Sequence, residues 1–179
     1  MKRLARLILV GAIALNLPLL AARSSAAQEA KALSSFQCRQ VNGYYATMAV
    51  NRDGRTAPMI VWTTEEFSDS GYTPQRRCTE VTNRLNSVLR ENGNNLRNVY
   101  LTVGPVNRHV VLCHVNNTRS GCNRENVLFT LSQSNRRSSN PRAVLENLFQ
   151  TRALTSGNPV QESGGQPYVN LETLVDQLF

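Results

Sequence analysis

Positions 65–78 read EEFSDSGYTPQRRC and concentrate the charged chemistry of the chain: three acids, Glu65, Glu66 and Asp69, followed by two adjacent arginines, Arg76 and Arg77. Paired carboxylates can share general acid and base work when their environments push their proton affinities apart. Calcium is the other chemistry such acids serve, but the run lacks the alternating D-x-D-x-D ligand spacing of a helix-loop-helix calcium site. The arginines offer something different. Arg77 and Arg84 lie two turns apart on one flank of a helix, and with Tyr72 and free backbone donors they form an anion or partner-binding set for a carboxylate, sulfate or phosphate. The competing reading has Arg77 turning back onto Glu65, Glu66 or Asp69 and tying the loop to the helix. The closeness of these acids in sequence favours that second reading.

Other catalytic chemistry finds little support. The two histidines, His109 and His114, fall in one expected strand five residues apart, so they face opposite ways and share neither a metal nor a proton relay. No G-x-S-x-G, P-loop or G-x-G-x-x-G motif is present. Cys38, Cys78, Cys113 and Cys122 make an even set that reads as a disulfide framework in an exported chain, with three possible pairings. The short spacing around NNTRSG suits a Cys113–Cys122 bridge across a loop, which leaves Cys38 with Cys78. A zinc site built from these cysteines and His114 lacks any C-x-x-C spacing. Catalytic residues, metal and cofactor are therefore all expected to be none.

These residues need elements to hold them. The runs SFQCRQV, YYATMAV and TAPMIVW are separated by Asn42–Gly43 and Asp53–Gly54, two hairpin turn signals, and read as an antiparallel meander. Ile60 and Trp62 share a face, with Trp62 as a core anchor. A helix starts with Thr73 as N-cap and Pro74 at its first position, carries Cys78, Val81, Leu85, Val88 and Leu89 at helical spacing, and stops at Gly93. Three more strands follow, NVYLTVG, HVVLCHV and VLFTL, with Gly104–Pro105 as the break after the first. Asn140–Pro141 opens a helix bearing Val144, Leu145, Leu148 and Phe149. A short strand over 167–170 and a last helix, LETLVDQLF capped by Asn170, close the chain.

The first 27 residues have a basic start, an apolar run from Leu7 to Ala22 and small residues at 24–27, the three parts of a secretory signal with cleavage after Ala27. Asn16 and Pro18 interrupt that run, which is shorter than the ~20 apolar residues a spanning helix needs. Removing it takes away Lys2, Arg3, Arg6 and Arg23 and no acid, so the formal net charge falls from +8 to +4. The remaining arginines are scattered from Arg39 to Arg152 with no aromatic-laced stripe, which argues against nucleic acid.

The stretches FQC (36–38), IVW (60–62) followed by Phe67, SGYTPQRRC (70–78) with Val81 and Arg84, YLTVG (100–104), Asn107, Cys113, Cys122 and LFTL (128–131) together resemble the circadian oscillating polypeptide domain family of cyanobacteria. Arg108 departs from that pattern, standing where a small turn residue is expected. The resemblance implies a protein of the cyanobacterial envelope (periplasm) or thylakoid lumen whose expression follows the clock and which associates loosely with membranes. It implies no established catalytic activity.

The expected architecture is α+β: an antiparallel sheet of about six strands against one main helix, with two shorter C-terminal helices. The expected organisation is a signal peptide over 1–27, a flexible lead over 28–34 and one disulfide-stabilised domain over 35–179. The expected function is an exported, non-enzymatic binding or adaptor domain for an unknown protein or anionic ligand. Its alternative is a small exported hydrolase using Glu65, Glu66 or Asp69 with a histidine.

Overall fold

A computed structural model describes residues 33–136, 143–145 and 165–179. The expected signal segment, residues 28–32 of the lead, Asn140, Pro141, Leu148 and Phe149 lie outside them. The fold is α+β. Strands β1 (Leu33–Val41), β2 (Tyr44–Asn51) and β3 (Thr56–Trp62) form an antiparallel meander in that order. Its first turn is Asn42–Gly43, with φ of 49° and 83°. Two positive φ values in a row make a two-residue turn whose twist matches the flanking strands. Leu33 and Ser34, expected in the lead, belong to β1, and Leu33 pairs with Asn51.

Register explains why the adjacent residues Met59 and Ile60 of β3 are both buried while Val61 is exposed. Thr47 pairs with Ile60 but Met48 pairs with Pro58, so Met59 is the extra residue of a bulge. The bulge turns Met59 inward beside Ile60 and Trp62, and all three join the core. Pro58 stands on the edge strand of this sheet, where its missing donor breaks no inner ladder.

Helix α1 (Pro74–Glu91) packs over the meander. Thr73 caps it by accepting a hydrogen bond from the Arg76 amide at 3.3 Å. Gly93, with φ 67°, and Asn94, with φ 59°, take the left-handed turn that ends it. Cys78, Val81, Leu85, Val88 and Leu89 are buried on the inner face as their spacing predicts. Two attachments run along β1. Cys78 is bonded to Cys38. Two turns on, Asn86 grips the Phe36 backbone with both ends of its amide, accepting from the Phe36 N–H at 2.8 Å and donating to its carbonyl at 2.9 Å. The N–H and C=O of Phe36, which face away from β2 on the outer side of β1, are thereby both paired.

The remaining strands form a second antiparallel sheet in the order β6-β5-β4-β7, from β4 (Tyr100–Val106), β5 (His109–Val115), β6 (Val127–Thr130) and β7 (Val169–Asn170). All six expected strands are present, divided between two sheets, and the short 167–170 strand appears as β7. Among the boundaries that differ, β4 begins at Tyr100 and runs through Gly104 and Pro105 to Val106, with Pro105 paired to Val110. Beyond Leu101 the outer side of β4 has no ladder partner among the described residues, so proline is tolerated there. A Cβ at Gly104 would lie 3.4 Å from Cys122, so its small size fits the Cys113–Cys122 bridge that lies over it. Arg108 holds φ 65° beside Asn107 at 48°, completing another two-residue turn where a small residue would fit without strain.

The two short helices that follow are α2 (Gln133–Arg136) and α3 (Leu171–Asp176). Residues 143–145 are also helical, with Val144 and Leu145 buried. Asn170 caps α3 by accepting from the Thr173 amide at 2.9 Å, as expected. Both expected disulfides form, Cys38–Cys78 and Cys113–Cys122. No helix among the described residues is long and apolar enough to cross a membrane.

Replacing Asn86 by Ala should lower the unfolding free energy by about 1–3 kcal/mol, because two hydrogen bonds to one backbone unit go at once. Urea denaturation of the oxidised chain measures it. A loss below about 0.5 kcal/mol would mean that water replaces the amide fully.

Candidate functional site

The first turns of α1 decide where the arginines go. Position 77 follows Thr73 by four residues and precedes Cys78 on the inward side, so its side chain points under the helix toward β3. There its guanidinium carbon lies 4.7 Å from the Trp62 ring centroid and 4.7 Å from that of Phe67. Arg77 is 7% exposed. The cation is thus held between two aromatic faces, each contributing about 0.5–2 kcal/mol when water is excluded. Its Nη1 is buried with no hydrogen-bond partner. Burial pushes the Arg77 proton affinity down, and the charge of Glu66 opposes that. A guanidinium remains charged regardless.

Arg77 forms no ion pair with Glu65, Glu66 or Asp69 among the described residues. The direct partners are rings, and Glu66 acts only through its field. Glu66 instead accepts from the Gln133 amide at 2.7 Å and from Arg136 at 2.8 Å, tying the acidic loop to α2. Glu65 accepts from the Ser68 hydroxyl. The acids therefore diverge.

Around the buried Arg77 runs an exposed flank. Arg76 stacks 4.6 Å from the Tyr72 ring centroid and bonds Glu80 at 2.7 Å. Arg84 reaches Glu80 at 3.5 Å and donates to the Leu128 carbonyl of β6 at 2.5 Å. Of the expected anion set, Tyr72 and Arg84 are on the surface and Arg77 is inside. Arg76, on the outer side of the helical projection, is the cation that joins them.

The histidines behave as their spacing predicts. His109 is exposed at the start of β5, while His114 turns toward α1 at its end. His114 Nδ1 is buried without a partner, and burial lowers its proton affinity against the opposing charge of Glu91. No group of three or more metal-ligating side chains occurs among the described residues.

The spacing of acids, arginines and histidines did not signal Asn86, or the pairing of Glu66 with Arg136. Asn86 follows Cys78 by eight residues, which places it on the same helix face, and that periodicity was the available signal. Nothing local could signal a pair 70 residues apart.

A family model described as circadian oscillating protein COP23 matches residues 35–176. No curated protein and no solved structure matches the chain.

Two outcomes follow from this geometry. Arg77→Ala opens a gap between Trp62 and Phe67 and should cost about 2–4 kcal/mol, with the Trp62 emission shifting to the red. An unchanged emission maximum would show that the cation does not shield the indole. For His114 the sign is set by burial: the unfolded chain takes the proton more readily, so stability should fall as pH drops through about 6.5. His114→Gln should flatten that part of the stability profile, and an unaltered profile would remove His114 as its source.

Proposed function

The chain belongs to the circadian oscillating protein COP23 family, and on that premise we propose that it is an exported, non-enzymatic binding or adaptor domain of a cyanobacterial envelope or thylakoid lumen, clock-regulated and peripheral to the membrane. The observation that carries the binding role is the flank of α1. Tyr72 is 44% exposed, yet Arg76 lies over its ring and Glu80 holds both Arg76 and Arg84. Tyrosine and arginine are the side chains most often found as anchors at protein interfaces. Held in place before a partner arrives, they lose less rotamer freedom on binding. Individually these surface ion pairs stabilise the fold by only about 0–1 kcal/mol, so their value lies in orientation.

The acids support this reading over hydrolysis. Glu65 and Glu66 are bonded to Ser68 and to the start of α2, and neither lies in the cleft beside His114. Export is supported by the signal-like leader and by both cysteine pairs being disulfide-bonded, since such bonds persist in oxidising compartments.

The test uses the mature chain as bait in a cyanobacterial envelope and thylakoid extract. Combining Tyr72→Ala with Arg76→Gln should abolish capture of the main partner and leave the melting temperature within about 2–4 °C, the shift expected for surface changes. Capture unaffected by the double variant would remove this flank as the contact surface. Turnover of generic ester, peptide or glycan substrates would overturn the non-enzymatic reading. N-terminal sequencing of the native protein should begin at Gln28.

A further inference from the structure

Behind the arginine flank, the outer side of the second half of α1 faces the end of β5 and the start of β6 across a cleft of about 440 Å³. That size is within the roughly 300–1,000 Å³ typical of small-molecule sites. We infer that this cleft binds a neutral saccharide through its ring hydroxyls. The inference is separate from the adaptor reading, since only Arg84 is common to the two surfaces.

The lining carries both signs of charge without letting them cancel one another. Arg84 and Arg124 face the space with Glu91 and Glu125. Among the described residues Arg124, Glu91 and Glu125 form no ion pair. Arg124 is oriented by a neutral oxygen instead, and Arg84 by one neutral oxygen together with Glu80, which lies outside the cleft at 3.5 Å. Arg124 donates from Nε at 3.1 Å and from Nη2 at 3.0 Å to the same Asn107 Oδ1, and Arg84 donates to the Leu128 carbonyl. With equal numbers of formal charges, neither a simple anion nor a simple cation is favoured. A hydroxyl group both donates and accepts, so a polyol satisfies guanidinium and carboxylate together.

Three further features fit a sugar. Asn83 and Ser87, one helical turn apart, add side chains able to donate and accept. Val127, half-buried at the start of β6, provides a small apolar edge for the C–H face of a pyranose ring, and the buried Val88 only backs the floor of the cleft. His114 lines the same cleft, and because Nδ1 is buried without an acceptor, protonation there is disfavoured and Nε2 is the nitrogen left to meet a ligand. Imidazole then enters as an uncharged hydrogen-bonding group, as a neutral ligand requires.

The test is a titration of the full mature chain, followed by amide and imidazole NMR, with cellobiose and N,N′-diacetylchitobiose as probes and inorganic phosphate and diglycine as controls. One of the sugars should shift the resonances of Ser87, His114 and Arg124 with a dissociation constant on the order of 1 mM or tighter. Glu125→Gln and Arg124→Gln, both at exposed positions, should each weaken it about tenfold with an unchanged melting temperature, the size of one lost charge-assisted hydrogen bond. Silence from both sugars into tens of millimolar, shifts confined to other surfaces, or shifts in the cleft with phosphate or diglycine alone would each overturn the assignment.

Discussion

The burial of one cation organises this fold. Arg77 lies where a helix N-terminus already disfavours positive charge, and it is stripped of most of its water as well. Two aromatic faces, Trp62 from β3 and Phe67 from the loop before α1, together with the field of Glu66, offset that cost. None of these groups is close to Arg77 unless β3, the loop and α1 are all in place. A single guanidinium therefore couples three segments, and the geometry of each limits the others.

From Trp62 the coupling spreads outward. Its indole N–H donates to Thr47 at 3.1 Å, and Thr47 also accepts from Thr82 of α1 at 3.2 Å, so the buried polar atoms of β2, β3 and α1 satisfy one another. On its other side Trp62 meets Phe129 of β6 edge to face, with centroids 5.0 Å apart. This contact joins the two sheets, which share no ladder. Arg84 reinforces the joint by bonding the Leu128 carbonyl, next to the register shift that β6 makes against β5. The surface flank and the cleft are both built on this joint, so their side chains inherit its rigidity.

What could be read from the chain was mostly what short-range chemistry decides. Thr73 and Pro74 mark a helix start whatever lies around them, Asn42–Gly43 marks a tight turn, and the nine-residue separation of Cys113 and Cys122 suggested their bridge. The site was only half legible. Helical spacing placed Arg77 and Arg84 on one flank, but a projection cannot say how steeply a side chain turns inward, and Arg77 turns in far enough to meet Trp62. Charge complementarity pointed to nearby acids, whereas desolvated rings proved the closer partners. Pro105 was misread as a break because proline's effect depends on whether a neighbouring strand needs its N–H, which is a property of the sheet. The division into two sheets was invisible for the same reason, since strand patterns do not encode which strands are neighbours.

The grip of Asn86 on Phe36 has a meaning beyond helix docking. An outer strand with open N–H and C=O groups is a template onto which another chain can add, and repeated addition leads to fibres. At the β1 edge Asn86 occupies the Phe36 pair, and at the opposite edge Pro58 withholds a donor next to the Met59 bulge. The meander is thereby blunted on both sides. A meander protected in this way can be held at high local concentration without its own two edges recruiting a neighbouring strand.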